Sequence, residues 1–459
     1  MKAIHRAPRQ RLKKPVSATR IIILIIFGII VLGTVLLMLP ISSRSHTFTD
    51  PETAAFTAVS ASCITGLVLC DTMLHWSTFG QIVIITMIQI GGLGFMTLAL
   101  LFSILIKRTI TPKERLIAAQ SLGLEKNGGA LAMVQFVIAG TFAIEGIGAI
   151  CLSTQFVPIF GWREGIYQSV FTSISAFCNA GFDLMGAYSG ASSSLCAFRD
   201  NPVVNFTIML LILSGGIGFL IWYDFAELLT HRRRFRAYTK FILIISAVLV
   251  FGGALMIFAL EYNNPQSLGP LPFGKKLLCA LFHSVSTRTA GMSTIDNVYF
   301  TDATKLVSSI LMLIGGASGS TAGGLKMGTV GLVIYAMIKT AAGHGEITLF
   351  RRRISTDNIL RAMSIVGIGL TLILLSTLSI SLIDGVPLID ALYECASALA
   401  TVGLTAGLTA SLSTPSHLIL MALMFCGKIG ILSATYAITL RSTSARAAFT
   451  YPEENIPVG

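Results

Sequence analysis

FTAVSASCITGL (56–67), FTSISAFCNAGF (171–182), LFHSVSTRTAGM (281–292) and YECASALATVGL (393–404) are four renderings of one pattern. Each reads as a short, half-apolar helix rich in small residues, giving way to a few extended residues and a glycine. The aligned glycines are Gly66, Gly181, Gly291 and Gly403, at intervals of 115, 110 and 112 residues. A nearly constant period marks an internal structural repeat. An apolar run precedes each segment, at about 20–40, 131–157, 239–260 and 359–383; another follows, at about 77–106, 203–229, 304–338 and 415–440. Each run approaches or exceeds the roughly 20 residues that cross a bilayer as a helix. The segments between them are too short to cross and too apolar for ordinary loops. They are expected to dip into the membrane and return.

Composition agrees. Of 459 residues, 54% are hydrophobic and only 12% charged, with mean hydropathy +0.79. Soluble domains carry about 25% charged residues, so a soluble enzyme, a disulfide scaffold and a disordered chain are excluded. The 43 glycines fit close helix packing and backbone that lines a cavity. The net charge of +12 does not indicate nucleic acid, because 24 of the 33 Lys and Arg fall in five clusters that alternate with the apolar runs: 1–20, 107–126, 231–240, 339–361 and beyond 440. That bias follows the positive-inside rule and puts both termini and the three long basic loops in the cytoplasm. The expected fold is an all-α polytopic membrane protein with four tandem helix–pore loop–helix repeats around a central ion pore. Its divisions are a basic N-terminus (1–18), repeat 1 (19–106), a linker (107–129), repeat 2 (130–230), repeat 3 (231–340), a loop (341–358), repeat 4 (359–440) and a tail (441–459).

A re-entrant backbone cannot face lipid, where its N–H and C=O groups would go unsatisfied. Four of them around one axis can instead form a cation filter. Carbonyl oxygens replace the hydration shell of the ion, glycine permits the φ/ψ values that turn them inward, and the carbonyl ends of the short helices add a favourable dipole.

Other chemistry is not legible. The eight cysteines form no CxxC pair and no spacing with histidine that suggests a metal site, and a Cys70–Cys196 disulfide is left open. GPLPFGKK (269–276) imitates a phosphate loop up to its last position but follows no strand. No nucleophile has a base and an orienting group nearby in sequence, so no enzyme is expected.

The motifs LLMLPIS (36–42), CITGL, QIGGLGFMT (89–97), FCNAGF, GGIGF (215–219), STRTAGM, GGASGSTAGGLK (315–326), ATVGLTAGLT (400–409) and the YPEEN tail carry a resemblance over nearly the whole chain. The sequence resembles the superfamily of K⁺ transporters that includes the KtrB, TrkH and plant HKT proteins, and is most like the KtrB membrane subunits of bacterial Ktr systems. The resemblance implies K⁺ uptake across a bacterial plasma membrane. It also implies K⁺ coordination by main-chain oxygens of Cys63, Ile64, Thr65 and Gly66; Cys178, Asn179, Ala180 and Gly181; Arg288, Thr289, Ala290 and Gly291; and Ala400, Thr401, Val402 and Gly403. Glycine at the last position of all four implies K⁺ selectivity. The Arg288 guanidinium is expected behind the filter, on pore-helix or loop carbonyls.

A second glycine cluster lies beyond each filter: Gly91-Gly92, Gly215-Gly216, Gly315-Gly316 and Gly427. For three of these, helix packing suffices. The third sits in GGASGSTAGGLKMG, where six glycines, two serines and a threonine in fourteen residues are too weak a helix former to span unbroken. Gly315, Gly316, Ser318, Gly319, Ser320, Thr321, Gly323, Gly324 and Lys326 are therefore expected in a gate beneath the filter; the resemblance implies an intramembrane loop that obstructs the pore. Lys428, in CGKIGIL, is a cation at membrane depth, where the resembling proteins usually carry arginine. Two readings stay open: a barrier below the filter, or a structural partner for a buried acid such as Glu394 or Glu145.

No segment of the chain could bind a nucleotide. By resemblance the partners are a cytosolic nucleotide-binding ring of KtrA or KtrC type and a second copy of the chain, the tail contributing to the homodimer. Membrane lipid is the remaining partner, and no nucleic acid is expected. The basic loops HRRRFR (231–236) and RRR (351–353) are read first as topology signals against anionic lipid. Na⁺ dependence, and with it symport, stays open. Channel-like flow fits a continuous filter better than alternating access, because the repeats read as parallel.

Overall fold

The apolar runs form helices, but few of them cross as one straight rod. The computed structural model describes residues 18–94, 130–231, 234–343 and 346–430. The N-terminus to residue 17, the 107–129 linker, the distal parts of the runs 77–106 and 415–440, and the tail with its expected dimer contact lie outside the described residues.

In the first segment α1 (Ala18–Met38) leads to the short helix α2 (Pro51–Cys63), which packs against α3 (Thr78–Leu93). Asp50 caps α2 by accepting from the backbone N–H groups of Glu52 and Thr53 at 3.0 and 3.4 Å, satisfying donors a helix start leaves free. In the second, α4 (Ala130–Phe177) is two helices in one run: Pro158 and Gly161, the latter at φ 80°, ψ 172°, reverse the chain. A Cβ on Gly165 would lie 2.6 Å from the Cα of Val157, so the two limbs meet tightly at the turn. The long limb is apolar enough to cross a membrane, and 162–177 is the short inward helix. The third segment carries α7 (Ala237–Glu261) and the inward helix α8 (Phe273–Ser286); the fourth carries α11 (Thr356–Asp384) and the inward helix α12 (Leu388–Ala400).

The runs that follow the inward helices are α3, the pair α5 (Pro202–Gly216) and α6 (Phe219–His231), the pair α9 (Asp302–Leu313) and α10 (Met327–Ala341), and α13 (Thr414–Ile429). Here the structure corrects the sequence reading. Run 203–229 is not one span: α5 and α6 meet at 99°, with Gly218 at φ 98° in the joint. Helices α3 and α13 likewise end at Gly94 (φ 77°) and Gly430 (φ 92°). The glycine pairs also pack, as expected: a Cβ on Gly91, Gly215 or Gly427 would strike the carbonyl of Ser62, Phe177 or Leu399, the ends of the inward helices. One sequence feature serves both purposes, since a positive φ is cheap only for glycine.

The inward helices are the buried core. Phe56, Ala61, Phe177, Phe282, Tyr393 and Leu399 are buried, whereas Leu24, Leu229, Leu255 and Leu382 project outward at 65, 82, 68 and 84% exposure, as lipid-facing side chains do. Four seams join the four segments, each with its own polar contact. Gln89 donates its amide to both Glu145 oxygens at 3.1 and 3.3 Å, and Asn179 donates its amide to the Arg288 carbonyl at 3.0 Å. Lys305 pairs with Asp390 at 2.7 Å. The last seam closes chain start on chain end: His417 Nδ1 meets Glu52 at 2.5 Å, Thr414 donates to the same carboxylate at 2.7 Å, and His417 Nε2 faces the Thr409 carbonyl at 2.7 Å. Both ring nitrogens face acceptors, so the ring makes both bonds as donor only when doubly protonated.

His417 and Thr414 hold the Glu52 carboxyl below its ordinary value of 4.5. A lowered carboxylate stabilises the fold above that ordinary value and loses its effect as pH falls through the lowered one. Glu52→Gln should therefore lower the melting temperature by roughly 1–2 °C at pH 7, with the gap to the parent narrowing as the pH falls below 4.5. Thermal unfolding in detergent across that range checks it; a constant gap at all pH values would remove the clasp from the account.

Candidate functional site: a glycine ring and the loop beneath it

Each inward helix ends in a strand of the same shape. The residue two before the glycine is left-handed in all four: Ile64, Asn179, Thr289 and Thr401, at φ 59°, 58°, 64° and 53°. The glycines follow at φ 92°, 73°, 71° and 95° for Gly66, Gly181, Gly291 and Gly403. Left-handed residues spaced by one ordinary residue swing successive carbonyls toward one side of the strand. Four non-glycine residues in that region cost about 1 kcal/mol or more each, so local bonds must hold them. Thr65, Ala180 and Val402 donate their N–H to the carbonyls of Ser60, Ser175 and Ser397, all at 2.8 Å, and Ala290 donates to Ser286 at 3.0 Å. The Ser60 and Ser397 hydroxyls also accept from the N–H of Gly66 and Gly403, both at 3.0 Å. These serines brace the four strands, and the sequence reading passed over them. Their signal was present as a serine six before the glycine in three of the four segments, with Val285 in the third.

The glycines close a ring. A Cβ on Gly66 would lie 2.6 Å from the Ala180 carbonyl oxygen and 2.9 Å from the Cα of Gly181; one on Gly181 would lie 3.1 Å from the Ala290 oxygen and from the Cα of Gly291. A Cβ on Gly291 would meet the Val402 oxygen and, at 3.1 Å, the Cα of Gly403, and one on Gly403 would meet the Thr65 oxygen and, at 2.9 Å, the Cα of Gly66. A side chain larger than hydrogen would strike the next strand at Gly66, Gly291 and Gly403 and would force it to shift at Gly181. Sixteen expected residues are thus brought to one place as four strands. The hydroxyls of Thr65 and Thr401 are buried there without a hydrogen-bond partner among the described residues.

Arg288 points away from the ring, as expected, but not onto the carbonyls expected. Its Nη1 donates to Ser246 of α7 at 3.0 Å, and its Nη2 lies 3.5 Å from the Met327 sulfur at the start of α10. The accepting carbonyl belongs to a spanning helix because the third segment's inward helix lies against α7, where the Ser284 hydroxyl of α8 donates to the Val250 carbonyl at 2.8 Å.

Below the ring, helix breaks off between Leu313 and Met327. The intervening chain is held at its neck, Gly315 donating to Leu325 at 2.8 Å and Met327 to Gly316 at 3.0 Å. It interlocks with the bend of the second segment: Ala317 donates to Gly216 at 2.9 Å, and Phe219 to Gly319 at 2.8 Å. On its other side it meets the fourth strand, since a Cβ on Gly324 would lie 2.9 Å from the Cα of Ala400 and one on Gly323 would strike Thr401. Gly315, Gly316, Ser318, Gly319, Ser320, Thr321, Gly323, Gly324 and Lys326 are all in this loop. Ser320 donates to the Ala317 carbonyl at 2.6 Å, and the Lys326 amine donates to Ala322 at 2.5 Å. The Lys428 amine donates to the carbonyl of Thr321 at 3.2 Å. Thr321 in turn reaches Phe177 and Asn179 at 3.3 and 3.4 Å, so Lys428, the loop and the second filter strand form one connected set.

The acids offered as partners of Lys428 are engaged elsewhere. Glu394 accepts from Thr405, Ala406 and Thr409 at 2.5, 3.0 and 2.7 Å, and Glu145 accepts from Gln89. Cys70 and Cys196 are free thiols, so the open disulfide is not formed. Among the described residues no cluster of His, Cys, Asp and Glu could hold a metal ion.

The TrkH family of cation transport proteins matches residues 2–446. Two relatives are each 36% identical: the potassium/sodium uptake protein NtpJ of Enterococcus hirae, over 98% of this chain and 99% of its own, and Ktr system potassium uptake protein B of Bacillus subtilis, over 94% and 95%. Ktr system potassium uptake protein D of Bacillus subtilis is 32% identical over 98% and 99%. The crystal structure of the potassium transporter TrkH from Vibrio parahaemolyticus superposes with a TM-score of 0.73 over 94% of this chain and 87% of that one, at 15% identity, which supports the fold. With its glycine-ringed axis and a match that spans nearly its whole length, the chain belongs to the TrkH family and is a multi-pass membrane transporter for potassium uptake, not an enzyme.

Proposed function

We propose that the four strands are a K⁺-selective filter in which main-chain oxygens of Cys63–Gly66, Cys178–Gly181, Arg288–Gly291 and Ala400–Gly403 coordinate the dehydrated ion, arranged as four helix–pore loop–helix repeats around one pore. The closed glycine ring carries this reading: it brings backbone, and no Cβ, of all four strands together at one place. Selectivity follows from the number and spacing of carbonyl dipoles that replace water. The loop 314–326 is the gate, and Lys428 is its latch and an electrostatic barrier: its amine holds the Thr321 carbonyl beneath the filter, where a passing cation must meet positive charge. Arg288 is structural and keeps its charge off the axis.

Above the ring, a cavity of about 310 Å³ is lined by the four glycines and by Asp71, Asp183 and Asp296. This outer vestibule raises the local concentration of cations. Burial pushes the Asp183 carboxyl up to about 6, so it loses its charge under mildly acid conditions.

The chain works as the translocating subunit of a Ktr-type system in a bacterial plasma membrane, with both termini cytoplasmic, as a homodimer on a cytosolic nucleotide-binding ring of KtrA or KtrC type. The basic loops and the relatives named for Ktr systems support this reading. Na⁺ dependence is an accessory property to be measured alongside, since one relative is named for potassium and sodium together.

Growth of a bacterium stripped of its own K⁺ uptake tests the function. The chain, with a nucleotide-binding partner supplied, should restore growth at low external K⁺. Gly403→Ser, whose Cβ strikes the Thr65 oxygen, should lose most of the preference for K⁺ over Na⁺; unchanged preference would remove the glycine ring as the filter. Lys428→Gln should raise K⁺ flux several-fold in vesicles, and equal flux would sink the barrier. Uptake by the parent should fall as external pH drops through about 6, while Asp183→Asn should start lower and stay flat across that range.

A further inference from the structure

A second cavity lies at the end of the molecule opposite the vestibule, against the outer side of the gating loop. Its volume is about 390 Å³, and its walls come from the starts of α7, α10 and α11 and from a two-residue hairpin, β1 (Thr348–Leu349) with β2 (Arg352–Arg353). The deep wall is apolar, with Phe241, Leu332 and Ile365, while Arg352 and Arg361 stand at the mouth. Both arginines are exposed, and among the described residues neither guanidinium has a carboxylate partner; in the same hairpin Arg353 is paired with Glu346. Also on the wall are Ser318 of the loop and Tyr238 of α7, whose buried hydroxyl lies beside Ser318. The hairpin is tied to the helix that leaves the gate, Tyr335 of α10 donating to the Thr348 carbonyl at 2.8 Å.

An apolar slot under two unpaired guanidiniums, at the membrane end where the basic loops gather, has the chemistry of an anionic amphiphile: phosphate for the arginines, hydrocarbon for the slot. A soluble acidic peptide would satisfy the arginines but not the slot, and a neutral lipid the slot but not the arginines. We propose that this cleft binds one anionic phospholipid, its phosphate between Arg352 and Arg361 and the upper part of an acyl chain against Phe241, Leu332 and Ile365, and that the bound lipid holds Ser318 and α10 in the arrangement seen here. The lipid thereby becomes a wall of the gate. Movement of the loop away from the pore must pass through Ser318, and an occupied slot opposes it.

Only the leaflet rests on the proposed orientation; the site itself does not. Native mass spectrometry of the full chain, delipidated and titrated with phosphatidylglycerol, reads binding without reference to transport. One phosphatidylglycerol should be retained more tightly than phosphatidylethanolamine. Each arginine near the surface contributes a factor of roughly five, so Arg352→Gln with Arg361→Gln should weaken that retention about twenty-five-fold. Ala362→Phe, which fills the slot while keeping both arginines, should also lose the lipid. In vesicles, K⁺ flux through the parent should differ between membranes with and without phosphatidylglycerol, and flux through the double variant should not. Equal retention by parent and double variant, or displacement of the lipid by inorganic phosphate alone, would overturn the site. Failure of K⁺ transport with lipid retention intact would count against the pore reading alone.

Discussion

No backbone amide can be left without a partner in hydrocarbon, and the centre of this molecule is four stretches of irregular backbone at membrane depth. They are tolerable only together. Each strand carries two left-handed residues, and each glycine sits so close to the next strand that a methyl group would collide with it or force it to shift. The ring therefore fixes the position of the four inward helices, whose carbonyl ends feed it, and the inward helices fix the spanning helices wrapped around them. Bracing serines convert the strained conformation into a stable one, because their main-chain oxygens, and for Ser60 and Ser397 their hydroxyls, receive the N–H groups that the turn exposes.

A ring made by one chain must be closed, and the four seams close it by different chemistry. An amide–carboxylate contact, an amide on a filter carbonyl, a lysine–aspartate pair and a histidine–glutamate clasp join neighbours in turn. Two lie near the filter and two nearer the outer ends of the helices. Asn179 is the most consequential, since the side chain that bonds the third strand also meets the gating loop through Thr321. The ring and the loop beneath it are joined through these contacts.

The loop beneath the ring owes its form to asymmetry between otherwise similar parts. Among the described residues, the helix after the strand ends at Gly94 and Gly430 in the first and fourth segments and is interrupted in the second and third. The second is a sharp bend, the third a long loop, and each bonds to the other through Gly216, Ala317, Gly319 and Phe219. Lys428 from the fourth segment completes the enclosure. Its half-buried amine faces the Thr321 carbonyl, and among the described residues no carboxylate matches its charge.

Much of this was legible in the residues. Four glycines in period, flanked by apolar runs and alternating basic clusters, specify the class of fold and the four strands that meet at the glycine ring, because re-entrant segments and positive-inside loops obey one-dimensional rules. The weakness of GGASGSTAGGLKMG as a helix likewise marks the third break from composition. The bend at Gly216–Gly218 was not legible: a glycine pair that packs on a neighbour's carbonyl and one that ends a helix look the same until the neighbour is in place. Nor could the sequence choose among partners for Lys428 and Arg288. A charge at membrane depth announces that it must be satisfied, but whether by Glu394, Glu145 or the carbonyls of Thr321 and Ser246 depends on which chains lie within about 3 Å of it. Distances of that kind exist only after four segments, more than a hundred residues apart, have closed on one axis.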